Sequence, residues 1–478
     1  MLRVLSALVG VIGFGYAGLL SASGMDEWFR TFKAEATPKQ MYAFLAKLPK
    51  GADLHNHLTG AGFSEWWYDI ATDTARNGGY HYYTKVSVQQ CGGYGTDEFG
   101  GNRQLLLFRT IQDSTYQTLD ECQRSEYKAL ERLTEQEKQG FLNSIRLDKA
   151  HEGRNEFFET HWNRLNELPE NPHASAYILL KNMQAFGREG LQYLETQIKI
   201  RGNLKPDGSL YSPEDALEVY RTVLASDEAK ATGVTAKFQF MVLRFAPDAE
   251  DSLRWMYGFA DQHRDLFAGI NMAGREDNDK GYPLRFLSTL RELRHQYPAV
   301  PLAFHAGEVD EPNQHVRDTL LLGAQRIGHG VNTITDPDTL LLMRHGPYLI
   351  EINLISNLLL EYIDSYSQHP FGEYLRLDIP VALSTDDRGM WDSTMTDEYY
   401  VAVKEFNLSW RELTSLARNS LQHSFLPPDE KKAALDLYTE RLAKFAAETL
   451  AHGFPDQDTD LEKRSFICKY QAALCSQE

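Results

Sequence analysis

The sequence has 478 residues, of which 42% are apolar and 12% aromatic, and this composition is that of a globular protein with a large core. It excludes disordered, collagen-like and coiled-coil proteins. Acidic residues number 67 against 49 basic residues, so the net charge of −18 repels phosphate backbones, and nucleic acid is not expected as a partner. At about 150 residues per domain, the length allows three domains or one elaborated α/β barrel.

Residues 1–23 have the pattern of a secretory signal peptide. Arg3 precedes an apolar stretch over residues 4–20, and small residues follow at 21–24, where a peptidase could cut. We therefore expect a cleaved leader and a location outside the cytoplasm, periplasmic or secreted. A retained membrane anchor is the alternative, because the apolar stretch approaches the roughly 20 residues that span a bilayer.

The four cysteines agree with export, because an oxidising compartment allows them to form disulfides. Three pairings are possible, and we expect the one between sequence neighbours, Cys91 with Cys122 and Cys468 with Cys475. Four buried free thiols are the alternative.

After the leader, residues 24–50 carry apolar side chains at helical spacing and predict two N-terminal helices. From Gly51 onward, short β-rich segments alternate with longer helical patterns, which predicts parallel βα units. Eight such segments favour a closed (β/α)8 TIM barrel over an open sheet. The predicted strands are residues 52–57, 191–200, 237–245, 268–273, 300–305, 326–331, 348–355 and 379–384.

The predicted barrel covers residues 51–396, and two further parts are not needed to build it. One is an insertion over residues 62–172, after the first strand, which contains Cys91 and Cys122. The other is a helical C-terminal tail over residues 397–478. The barrel is treated as one domain because its candidate site takes residues from both the first and the last strand.

Polar residues that could bind a metal follow several predicted strands. Function in parallel barrels collects at the carboxyl ends of strands, where side chains from distant segments converge. Each motif alone is weak, since an isolated His-x-His or Asp-Asp is more often structural. Their co-occurrence at strand ends favours a site of mixed nitrogen and carboxylate ligands, which suits catalytic zinc. The polar residues at these strand ends are His55, His57, His305, Glu308, His329, Asp386 and Asp387, and the fourth strand ends at Gly274.

The same motifs, in this order and spacing, resemble those of the adenosine deaminases. They are the run from Leu48 to His57, the runs His305-Ala306-Gly307-Glu308 and Arg326-Ile327-Gly328-His329-Gly330, and Ser384-Thr385-Asp386-Asp387. The chain looks most like the extracellular adenosine deaminase growth factor branch, because of its Pro-Lys-Gly before the first strand, its leader, its N-terminal helices and its Cys-containing insertion.

The resemblance implies a zinc-dependent hydrolase of the amidohydrolase superfamily that converts adenosine or 2′-deoxyadenosine to the inosine product and ammonia. Glu308 would protonate purine N1, and His329 would orient and deprotonate the attacking water. Asp387 would bind N7, and the backbone of Gly274 would contact N3. The ligands of a single Zn²⁺ per chain would be His55, His57, His305 and Asp386. Family resemblance also suggests a homodimer formed through the N-terminal helices.

Three positions depart from the family pattern. Thr59 stands where an Asp usually holds the ribose 5′-hydroxyl, so a 5′-modified 6-aminopurine nucleoside is an alternative substrate. Arg388 replaces a Pro, and Asn353-Leu354 replaces a Cys-Pro after the seventh strand. A non-catalytic extracellular binding or signalling relative is a further alternative, although a site without catalysis need not keep the complete polar set.

Overall fold

The computed structural model describes residues 24–89, 91, 106–278, 280–454 and 462–475, so the predicted signal peptide lies outside the described residues. An eight-stranded parallel barrel forms the centre of the molecule and confirms the predicted fold class. Its strands are adjacent in chain order. They are Ala52–Asp53, Tyr193–Ile198, Thr235–Leu243, Phe267–Ala273, Leu302–Ala306, Arg326–His329, Leu349–Ile352 and Val381–Leu383.

The barrel closes between its first and last strands through a short contact beyond their regular ends. Asn56 and Asp386 form an isolated parallel bridge. The backbone N–H of Asp386 donates to the carbonyl of His55 at 2.9 Å. The first strand, predicted over residues 52–57, is therefore regular only at Ala52–Asp53, and beyond it Asn56 and His57 form only isolated parallel bridges.

Helices cover the outside of the barrel, as expected for strands buried on both faces. The helix Pro213–Ala225 begins after Ser212, whose side chain caps it, and Pro213 occupies its first position. The other helices between barrel strands are Pro172–Arg188, Asp227–Ala231, Ala249–Gln262, Leu287–Gln296, His315–Leu321, Pro337–His345, Leu354–Leu359 and Phe371–Arg376, and 3₁₀ turns lie at Pro283–Phe286, Val331–Thr335 and Tyr366–Gln368.

The insertion after the first strand contains its own small antiparallel sheet. Its central strand, Tyr82–Lys85, pairs with Thr110–Gln112 on one side and with Tyr127–Ala129 on the other. The disulfide Cys91–Cys122 lies in this part of the chain. Helical segments of the region are Leu58–Ala61, Ser64–Thr72, Asp113–Thr118, Glu121–Ser125, Leu130–Arg132, Glu135–Ile145, Arg154–Glu156, the π-helical turn Phe157–His161, and Trp162–Leu165.

The N-terminal helices, over residues 24–35 and Pro38–Lys47, pack against the C-terminal tail. Rings of Phe29 and Phe44 stack, and the Trp410 ring lies 5.9 Å from that of Phe29.

The second predicted disulfide, Cys468–Cys475, is also present, so both expected pairings are confirmed. The tail helices are Met395–Phe406, Trp410–Gln422, Pro428–His452, Ser465–Tyr470 and the 3₁₀ turn Ala472–Leu474. Within the described ranges, no helix has both the length and the apolar character to cross a membrane.

Phe44 holds this N-terminal unit to the tail, so its truncation should destabilise the fold. Phe44 is completely buried. We expect Phe44→Ala to lower the free energy of unfolding by about 3–5 kcal/mol, because a large buried ring leaves a cavity. Leu287→Ala is the control: that side chain is 48% exposed, and its loss should cost about 0.5 kcal/mol or less. Equal effects in urea unfolding would contradict the assigned packing.

Candidate active site

Four of the predicted site residues meet at the carboxyl end of the barrel. Ligand atoms of His55, His57, His305 and Asp386 all lie within 4.8 Å of one another, and all four residues are buried. The first three come from the ends of the first and fifth strands, and the fourth follows the eighth. Barrel closure therefore brings together residues that are more than 300 positions apart in the sequence.

The candidate ligand atoms of this group converge, and two of them have no hydrogen-bond partner among the described residues. Asp386 Oδ1 lies 3.2 Å from His57 Nε2 and 3.5 Å from His55 Nε2. His57 Nε2 is also 3.2 Å from His305 Nε2. Asp386 Oδ1 and His55 Nε2 are buried and have no hydrogen-bond partner among the described residues. Buried polar atoms are normally satisfied, so a cation among these atoms would supply the missing interactions.

Neighbouring side chains fix the orientation of the candidate ligands. His55 Nδ1 contacts Glu351 Oε2 at 2.8 Å, and His305 Nδ1 contacts Asn271 Oδ1 at 2.9 Å. Ser356 Oγ donates to Asp386 Oδ2 at 2.6 Å. Each contact uses one polar atom of the side chain. The other atom, the imidazole Nε2 or the second carboxylate oxygen, stays available at the centre of the group. No role was predicted for these three partners, although the convergence of side chains at the carboxyl ends of barrel strands could have indicated them.

Glu308 and His329 lie beside the four candidate ligands. His329 Nε2 is 3.7 Å from Glu308 Oε1, and both residues are buried. Burial, together with the negative charge of Asp386, raises the pKa of Glu308 to about 8. The Glu308 carboxyl group is therefore mostly protonated at neutral pH, and it can act as a proton donor.

Glu308 is held in place by a buried ion pair that was not predicted from the sequence. The carboxylate of Glu276 accepts the backbone N–H groups of Gly307 at 3.1 Å and Glu308 at 2.8 Å. Arg244 lies 3.7 Å from Glu276 and also donates to the backbone carbonyl of Gly274 at 2.9 Å. Both residues lie just beyond barrel strands and belong to none of the quoted motifs, so no local sequence signal indicated them.

Asp387 follows the candidate ligand Asp386 and lies against Gly60, which Thr59 precedes in the chain. Burial and the neighbouring charge of Asp386 raise the pKa of Asp387 well above its usual value. A Cβ at Gly60 would lie only 1.7 Å from Asp387 Oδ1, so only glycine fits there. Thr59 is partly exposed. Arg388 does not join the site, because its side chain is buried in an ion pair with Glu189 at 2.7 Å.

Two site residues have unusual backbone conformations. His329 has a φ of 63° and Asp386 a φ of 53°, in the left-handed region that side chains other than glycine seldom adopt. Such conformations persist where surrounding contacts determine them, and they concentrate at functional sites. Here the bridge that closes the barrel fixes Asp386.

The insertion reaches the mouth of the site. The Trp162 ring lies 6.4 Å from the His57 ring, edge to face. Arg154 pairs with Asp310 at 3.0 Å and donates to the carbonyl of Glu361 at 3.3 Å, so it joins the insertion to loops after the fifth and seventh strands. Residues of the insertion therefore form part of the wall around the candidate ligands.

A parallel barrel with a buried histidine and aspartate cluster at its carboxyl end defines the class of metal-dependent barrel hydrolases. Within that class, a family model described as adenosine deaminase matches residues 125–441, more than half of the chain. The chain belongs to the adenosine deaminase family, whose members are metal-dependent amidohydrolases.

Individual relatives agree with this family. An adenosine deaminase of Phlebotomus duboscqi is 31% identical over 54% of this chain and 52% of its own length. An adenosine deaminase 2-A of Danio rerio is 25% identical over 88% of this chain and 84% of its own, and it partly supports the likeness to the growth factor branch. The crystal structure of an adenine deaminase from Arthrobacter aurescens shares the fold, with a TM-score of 0.60, 18% identity, and coverage of 82% of this chain and 98% of that one.

Asn271 allows a test of the candidate metal centre. Asn271→Leu removes the acceptor for His305 Nδ1, and we expect zinc affinity to fall about 10- to 100-fold, the usual effect of losing such a partner. Asn271→Asp keeps an acceptor at this position and serves as the matched control. Competition with a chelator of known affinity measures both variants. Equal affinities would show that the contact does not support a metal ligand.

Proposed function

We propose that this protein is a zinc-dependent deaminase that hydrolyses adenosine or 2′-deoxyadenosine to the inosine product and ammonia. Membership of the adenosine deaminase family supports this reaction class. The observation that carries the proposal is the carboxyl group of Glu308, which is buried next to a convergent set of three imidazoles and one carboxylate.

The residues present fit zinc. Three histidine nitrogens and one carboxylate oxygen are a donor set typical of catalytic zinc. His55, His57, His305 and Asp386 would hold one ion per chain. When bound, zinc lowers the pKa of water toward neutrality, so that hydroxide is available at physiological pH.

The surrounding residues account for the rest of the chemistry. Attack at C6 interrupts the aromatic ring, so a proton must reach ring nitrogen N1, and protonated Glu308 supplies it. Asp387, whose pKa is raised by burial and by the charge of Asp386, would bind N7. The backbone of Gly274, whose carbonyl accepts a hydrogen bond from Arg244, would contact N3. His329 orients the attacking water. Overall, one water adds its oxygen to C6, and ammonia leaves.

Replacement of Glu308 tests this reaction. Glu308→Gln keeps the size of the side chain but cannot deliver a proton, so kcat should fall by about 10²- to 10⁴-fold while zinc content is unchanged. Ammonia release and the ultraviolet change from adenine to hypoxanthine measure turnover. Glu311→Gln, an exposed position on the same loop, is the control and should keep normal activity. Zinc-loaded wild-type protein that releases no ammonia from adenosine would refute the proposed function.

Thr59 supports a second candidate substrate, a 6-aminopurine nucleoside modified at the 5′ position. Its hydroxyl can form a hydrogen bond but offers no charge. We expect 5′-modified analogues to retain much of the kcat/KM found with adenosine. Thr59→Asp should raise the preference for the free 5′-hydroxyl about tenfold or more, since a charged acceptor binds more strongly. Thr59→Ser is the conservative control. An unchanged preference in Thr59→Asp would remove this position from sugar recognition.

We propose that the protein acts outside the cytoplasm, which its two disulfides support. Cell fractionation that recovers the chain with reduced cysteines in the cytoplasm would contradict this location.

A non-catalytic binding role would require receptor binding without deamination. The homodimer through the N-terminal helices stays a prediction, which sedimentation can test. The apolar side chains of Met25, Phe29 and Phe44 on these helices are already buried within one chain, so they are not available for contact with a second copy.

A further inference from the structure

A chain of hydrogen bonds runs from the backbone into the candidate site through two residues that the proposed reaction does not use. The backbone N–H of Phe371 donates to His369 Nδ1 at 3.1 Å. His369 Nε2 contacts Asn357 Oδ1 at 3.1 Å, and Asn357 Nδ2 contacts His329 Nδ1 at 3.0 Å. All three side chains are buried.

The direction of this chain is fixed at its outer end, because a backbone N–H can only donate. His369 Nδ1 must therefore be the unprotonated nitrogen. Burial lowers the pKa of His369 to about 3, so the ring is neutral and carries its single proton on Nε2. That N–H requires an acceptor, which places the oxygen of the Asn357 amide toward His369 and its NH₂ group toward His329.

The inner end follows from the same rule. The Asn357 NH₂ group donates to His329 Nδ1, so that nitrogen carries no proton and the ring is not an imidazolium. Asn353 Nδ2 lies 3.3 Å from the same nitrogen and adds a second donor. The proton of a neutral His329 ring must then be on Nε2, the atom that faces Glu308 and has no hydrogen-bond partner among the described residues.

We propose that His369 and Asn357 are positioning residues that hold His329 as the neutral Nε2–H tautomer, so that it presents a hydrogen-bond donor to the reacting oxygen. This inference rests on the proposed function for its role in the reaction. It changes the part that family resemblance gives to His329: the imidazole holds the attacking oxygen and stabilises negative charge on it. The proton of the water goes to solvent and not to the imidazole, because zinc, when bound, would lower the pKa of that water.

Asn357→Asp reverses the hydrogen-bond direction with almost no change in shape. A carboxylate can only accept, so one oxygen still accepts from His369 while the other requires a proton on His329 Nδ1. Nε2 then loses its proton and becomes an acceptor. We expect kcat for adenosine to fall about 10²-fold or more, the scale for losing one preorganised donor, with a much smaller change in KM.

His369 provides a matched pair of variants. His369→Gln keeps an N–H near the position of Nε2 and should retain both the wild-type tautomer and most of kcat. His369→Leu removes the donor, so the Asn357 amide is free to rotate. His329 should then populate both tautomers, and the kcat of this variant should be lower than that of the wild type. A purely structural role for His369 would affect both variants through stability alone, which thermal unfolding of each protein measures.

The tautomer is read directly by NMR of the full chain with ¹⁵N-labelled histidine, loaded with diamagnetic Zn²⁺. The His329 signals are assigned by their loss in His329→Gln. We expect a protonated Nε2 and an unprotonated Nδ1 in the wild type, and the opposite in Asn357→Asp. A wild-type proton on Nδ1 would overturn the proposal, as would an unchanged kcat in Asn357→Asp once the proton has moved. Failure of the wild type to deaminate any nucleoside would refute the proposed function instead, since the NMR result does not depend on turnover.

Discussion

The contact between the first and last barrel strands is the constraint on which the site depends. The bridge between Asn56 and Asp386 closes the barrel, and the same few residues supply three of the four candidate ligands. The fold and the site are therefore not separable, because opening the barrel at this seam would move His55 and His57 away from Asp386. The left-handed backbone of Asp386 lies at this seam, where pairing with the first strand opposes its relaxation.

Buried charge is the second constraint, and a series of buried ion pairs compensates it. Within the barrel, Arg326 lies 2.7 Å from both Glu195 and Glu351, and Glu351 in turn contacts His55. A charge buried without such partners would be very costly, so the ion pairs beneath the site make a polar barrel interior possible. Burial at the end of this barrel and the charge of Asp386 also raise the pKa of Glu308, which favours its protonated form. One environment thus supports both the convergent ligands and the proton donor.

The sequence predicted the barrel well because alternating strands and helices leave a strong periodic pattern, and the helix Pro213–Ala225 was bounded by its capping residues. The candidate ligands were predictable because strand ends of a parallel barrel converge. Arg244, Glu276 and His369 were not predictable, since each acts through contacts between loops that only the folded chain brings together. The first strand was predicted too long, because the apolar and polar alternation of residues 52–57 continues past the two residues that pair regularly with the second strand. The interaction of Arg388 with Glu189, 199 positions away, likewise left no local signal.

The close approach of Gly60 to Asp387 has a consequence for how the pocket could adapt. Since no side chain fits between them, the segment containing Thr59 and the segment containing Asp387 are in direct contact, and a shift of one segment displaces the other. A ligand group seated against one segment is mechanically coupled to a group seated against the other. Recognition at the two ends of a bound molecule would therefore be non-additive, and a change at the end remote from the chemistry would alter the rate of reaction as well as the affinity.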